Sequence, residues 1–81
     1  MATIFIPAMW RGDFGGLKEV TATGATVGEA VAILAATYPT IRDRLKSNVS
    51  IAVDGEVTPL GLLERIEPDS EIHFVPAIKG G

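Results

Sequence analysis

The sequence predicts an α+β fold in which a sheet of four to five strands carries one main helix across one face. Three observations point to it. Segments rich in β-branched and aromatic residues, alternating with period two, recur near both ends of the chain. A single capped stretch between them repeats its apolar residues at helical spacing. Glycine, proline and aspartate clusters separate these segments, giving the order β-β-α-β-(β)-β.

The first strand spans Thr3 to Pro7, with Ile4 and Ile6 on one face and Phe5 on the other. Pro7, Gly12, Gly15 and Gly16 break regular structure, so Pro7 to Gly16 reads as a long hairpin loop leading to a second strand at Lys18 to Thr23. Thr26 followed by Glu29 has the capping-box spacing that opens a helix. Val27, Ala30, Val31, Leu34 and Tyr38 form its apolar stripe, and Pro39 disfavours helix at Tyr38. "TIRDRL" adds a short helical turn that points Ile41 and Leu45 at the core.

"VSIAV" alternates with Val49, Ile51 and Val53 on one face, and the "DGE" run at Asp54 to Glu56 turns the chain. Val57 to Ile66 reads equally as a short strand or as a loop with a 3₁₀ turn. "EPDS" is a further turn. The last strand, Glu71 to Val75, sets Ile72 and Phe74 on one face against His73 and Val75 on the other, and Pro76, which lacks a ladder donor, is expected to end it. Residues 1–76 then form the domain, and 77–81 form a flexible tail ending in Gly80-Gly81.

Composition narrows the functional classes. The chain has 81 residues, enough for one domain with a marginal core. The absence of cysteine excludes a disulfide scaffold, a thiolate metal site and a cysteine nucleophile, and a single histidine leaves no basis for a multi-histidine metal centre. A net charge of −3 argues against nucleic acid as a partner. No apolar run approaches the ~18 residues a membrane span needs, and "MATIFIP" lacks the pattern of a signal peptide, so a cytoplasmic protein is expected.

The glycines at the end invite a chemical reading. At ~3.3 Å per residue the segment after Pro76 reaches about 16 Å. Two residues without side chains can pass through a channel too narrow for others. The terminal carboxylate is ionised at neutral pH and is a poor electrophile until an ATP-using enzyme turns it into an acyl-adenylate. Gly81 would carry the reacting carbon, Gly80 would give access, and Ile78 and Lys79 would line the path into a partner.

The run "EPDSEIHFVPAIKGG" joined to this element order resembles the ending of the MoaD/ThiS family of β-grasp, ubiquitin-like sulfur carriers. "IPAMWRGDFGG", "GATVGEAVAIL" and "YPTIRDRL" resemble most the MoaD/CysO-like subgroup. Lys79 departs from the small residue that many members carry there. The resemblance implies a β-grasp fold with a mixed sheet, and a carrier that is not itself an enzyme. It further implies adenylation of Gly81 by an E1-like enzyme, with ATP used by that enzyme and no cofactor bound by the carrier. A C-terminal thiocarboxylate would then give sulfur to a partner synthase, in cysteine, molybdopterin or other thio-metabolite synthesis. The small subunit of a synthase fits the same description. A ubiquitin-like modifier joined through Gly81 to target lysines is the alternative, since both roles need the same tail.

His73 has no nucleophile near it in sequence and is expected at the surface. Phe5, Ala52, His73 and Val75 are expected to face away from the helix, where they make either a partner-docking patch or scattered surface hydrophobics. Trp10 and Phe14 either anchor a partner or fold back over the core edge, and the second is preferred. Glu64, Glu67, Asp69 and Glu71 form a solvated face, or meet a basic patch on the activating enzyme.

Overall fold

The computed structural model describes residues 1–46 and 49–76. Strand β1 (Ala2–Phe5) pairs with β2 (Glu19–Ala22), helix α1 (Val27–Thr37) crosses the sheet, and α2 (Thr40–Leu45) follows; β3 (Val49–Val53), β4 (Glu56–Thr58) and β5 (Glu71–Pro76) complete it. The five strands lie in the order β2-β1-β5-β3-β4. Among the described residues only β1 and β5 run parallel, so the sheet is mixed, as the resemblance to the β-grasp carriers implies.

The period-two pattern sorts the two faces. Ile4, Ile6, Ile51, Ile72 and Phe74 lie beneath α1, where Val27, Ala30, Val31 and Leu34 meet them, and Val49, Val53 and Tyr38 pack at the margin. Burying this set is the main driving force of a domain this size. The helix begins as its cap predicts: the Glu29 N–H donates to Thr26 Oγ1 at 3.2 Å. The Glu29 carboxylate reaches one residue further back than the usual capping box, accepting from the Ala25 N–H at 3.0 Å. At the other end the Tyr38 N–H donates to the Leu34 carbonyl and Pro39 starts α2, whose Ile41 is fully buried.

The segment after Pro7 is not the expected loop. Ala8–Phe14 is a 3₁₀ helix closed by Gly15 at φ 64°. Trp10 and Phe14, four positions apart, turn inward together and become core. Trp10 lies 5.7 Å from the Phe74 ring and Phe14 5.4 Å from Tyr38. Burial of two large aromatics outweighs the breaking tendency of Gly12, whose added side chain would meet nothing. The chain thus folds back over the end of the sheet.

Two further expectations are sharpened. The stretch after the "DGE" turn is both things it resembled: β4, then a 3₁₀ turn at Gly61–Leu63. Gly28 allows that turn to approach, since a Cβ there would sit 3.0 Å from the Leu62 carbonyl oxygen. Pro76 does not stop β5 short but is its last residue, in register with Val49. The tail expected at 77–81 lies outside the described residues.

The β3–β4 turn has Asp54 at φ 53° and Gly55 at φ 88°, both left-handed as a two-residue type I′ hairpin demands. Asp54 also ties this turn to β5. Its carboxylate accepts from the Glu71 N–H at 2.9 Å and from the hydroxyl of buried Ser70 at 3.2 Å, while Ser70 Oγ accepts from the Glu67 N–H at 2.8 Å. Asp54→Ala leaves that hydroxyl without its acceptor and strains the turn, so urea unfolding should show a loss of about 1–3 kcal/mol. Phe14→Ala should cost more, about 3–5 kcal/mol, by opening a cavity under the 3₁₀ helix.

Candidate functional site

The chain leaves the described fold at Pro76, and the pairing of β5 decides where that point is. Running parallel to β1 and antiparallel to β3, β5 delivers its last residue beside Val49, at the end of the sheet where β1 also finishes. Around this exit stand the 3₁₀ helix Ala8–Phe14, the start of β2 and, three residues before Val49, the end of α2. The Ile6 N–H donates to the Lys18 carbonyl, which closes the β1–β2 connection there. Gly80, Gly81, Ile78 and Lys79 lie outside the described residues, so the fold positions their point of departure only.

The face opposite α1 holds the other candidates. Phe5 is in register with His73, His73 with Ala52, and Ala52 with Val57, so one row of side chains crosses four strands. Phe5 and His73 stack with ring centroids 4.4 Å apart and planes 3° from parallel. His73 Nε2 also lies 4.0 Å from a Glu71 carboxylate oxygen. Val75 is on the same face, two residues further toward the exit, and is 48% exposed.

His73 therefore faces solvent as expected, and no metal-binding set accompanies it among the described residues. Ala52 shares this face but is only 7% exposed. Its methyl group is too short to rise between its neighbours His73 and Val57, so orientation alone does not make it a contact residue. Val57 was missed as a member of the row. The alternation after the "DGE" turn is its signal, but three residues are too few to distinguish strand from loop.

Trp10 and Phe14 are buried and unavailable as anchors. The acids Glu67, Asp69 and Glu71 sit at the start of β5, at the opposite end of the strand from Pro76. A polar groove of about 510 Å³ lies beside β4, lined by Asp54, Glu56, Thr58, Glu64 and Arg65. It too is remote from the exit and belongs to the acidic end.

A model of the ThiS family matches residues 12–81, most of the chain and its glycine end. The chain belongs to the ThiS family. This ThiS-family chain is 32% identical to the sulfur carrier protein CysO of Mycobacterium tuberculosis, over 98% of its own length and 97% of that protein's. It superposes on a chain of the Amycolatopsis orientalis BexX/CysO complex with a TM-score of 0.89 at 28% identity, both chains fully covered. The small archaeal modifier protein 1 of Methanosarcina acetivorans shares the fold alone, with a TM-score of 0.78 at 21% identity over 99% of this chain and 95% of that one. These likenesses establish the ubiquitin-like β-grasp architecture.

The Phe5–His73 stack is open to direct measurement. In a double-mutant cycle of Phe5→Ala and His73→Ala, the coupling read from urea unfolding should be about 0.5–1.5 kcal/mol. Additive losses would mean that the two rings do not support each other.

Proposed function

We propose that this chain is a sulfur carrier whose reactive group is the carboxylate of Gly81. The observation that supports this most is the ThiS-family match, which runs from Gly12 through β2, the helices and the last three strands to Gly80-Gly81. The sulfur-carrier name of its relatives and its near-full coverage of them point the same way.

The chemistry follows from the terminus. An E1-like enzyme uses ATP to form a mixed anhydride between the Gly81 carboxylate and AMP, releasing pyrophosphate. A sulfide-level nucleophile then attacks the carbonyl carbon. The C–S bond forms, the C–O bond to AMP breaks, and the chain is left with a thiocarboxylate. A partner synthase takes this sulfur into a small molecule. ATP belongs to the activating enzyme, and the carrier contributes no acid or base.

In this reading Gly80 gives the partner channel access to the reacting carbon, and Ile78 and Lys79 line the approach. Phe5, His73 and Val75 supply contact area on the open sheet face, where an aromatic pair and an exposed valine are suited to desolvation against a partner. The domain's task is to hold the tail's root rigid while successive enzymes take its end.

Incubation with the activating enzyme, ATP and a sulfide source should raise the intact mass by about 16 Da, one oxygen exchanged for sulfur. The chain alone should show no turnover. An unchanged mass would contradict the carrier role. Heavier adducts that leave Gly-Gly remnants on target lysines would instead indicate a protein modifier.

A further inference from the structure

We propose that the end of the domain from which the tail departs is a cationic collar, and that this collar docks on an acidic rim around the channel in which a partner protein receives the C-terminus. The inference deepens the carrier reading and rests on it.

The collar is assembled from segments far apart in sequence. Arg42 on α2 and Lys46, the residue that caps its C-terminal end, are four positions apart and both exposed. Arg44, on the same helix, bonds to Asp13 and so fastens α2 to the 3₁₀ helix Ala8–Phe14. Arg11 Nε donates to the Ile6 carbonyl at 3.1 Å, which fixes its guanidinium at the end of β1. Lys18 is exposed, and its carbonyl accepts from the Ile6 N–H. Lys46 stands three residues before Val49, the register partner of Pro76. Asp13 pairs with Arg44, Asp43 pairs with Lys46 at 3.7 Å, and Glu19 stands at the start of β2, but among the described residues Arg11, Lys18 and Arg42 form no ion pair, so five cations meet three acids here and an excess of positive charge remains.

The opposite end has the opposite sign. Asp54, Glu67, Asp69 and Glu71 gather at the start of β5, and Asp54 and Glu71 are joined there by backbone and side-chain bonds. The chain as a whole has a net charge of −3. A basic partner surface would therefore draw in the acidic end first and hold the tail away from itself. An acidic surface repels that end and attracts only the collar, which turns the tail toward it. Charge separation of this kind acts mainly on the rate and orientation of encounter. It selects an acidic rim as the surface that receives the tail.

The test compares two variants of equal net charge. Arg42→Gln with Lys46→Gln removes two charges from the collar. Thr21→Glu with Thr23→Glu adds two acids at the far end, where Thr21 is in register with Thr3 and Thr3 with Glu71. Stopped-flow association with the enzyme that thiocarboxylates the parent chain should slow about tenfold at low salt for the collar variant, with a flatter salt dependence. Turnover at saturating carrier should not change. The far-end variant should associate within about twofold of the parent. Equal association rates for the two variants, or an undiminished salt dependence in the collar variant, would overturn the inference. A parent chain that never gains sulfur contradicts the carrier reading instead. The collar is then read from nuclear magnetic resonance titration with an oligoglutamate peptide, which should shift the backbone signals of Arg11, Lys18, Arg42 and Lys46 and leave Glu67 and Asp69 in place. Shifts spread evenly over the domain, or none, would overturn it.

Discussion

Everything in this molecule depends on β5 being held between β1 and β3. It is the central strand, parallel to one neighbour and antiparallel to the other. Ile72 and Phe74 place their side chains under α1, while His73 and Val75 stand on the open face, so this one strand contributes to both sides of the sheet. Its start is clamped by Asp54 and Ser70, and its ladder runs to Pro76. A central strand cannot slip by one residue without exchanging its buried and exposed sets. The register of β5 therefore fixes the position of Pro76, the last described residue before Gly81.

The helix and the strand alternation were legible because each depends on local, periodic signals. Thr26 and Glu29 cap α1 as their spacing indicates, and Ile4, Ile72 and Phe74 lie on the buried face that period two assigns to them. The 3₁₀ helix was not legible, because Pro7 and the glycines after it carry strong breaking signals. The four-residue spacing of Trp10 and Phe14 was the counter-signal, but its weight comes from burial against Phe74 and Tyr38, which no local window contains. The same holds for Ala52. Its facing was readable from alternation, whereas its covering depends on neighbours from two other strands.

The candidate site divides in the same manner. The glycine end is visible in the sequence because it is contiguous, and it lies outside the part of the chain the structure describes. The acidic run before β5 is contiguous too and drew attention for that reason, yet the fold puts it at the far end of the strand from Pro76. The cations proposed to flank the exit come from positions 11, 18, 42 and 46, on segments that the Arg44–Asp13 bond and the Ile6–Lys18 hydrogen bond join near the end of the sheet. Contiguous features are readable in one dimension, and convergent ones need the fold.

The central claim is that the domain is a rigid mount and that reactivity belongs to its last residue. Gly81→Ala separates the two, since it adds a methyl group at Cα, next to the carboxylate proposed to react, and removes nothing from the core. Thermal melting of this variant, measured beside ATP–pyrophosphate exchange with the activating enzyme, is the direct test. The account predicts a melting temperature equal to that of the parent and a severe loss of exchange. A variant that melts like the parent and still supports exchange at the parent rate would contradict it.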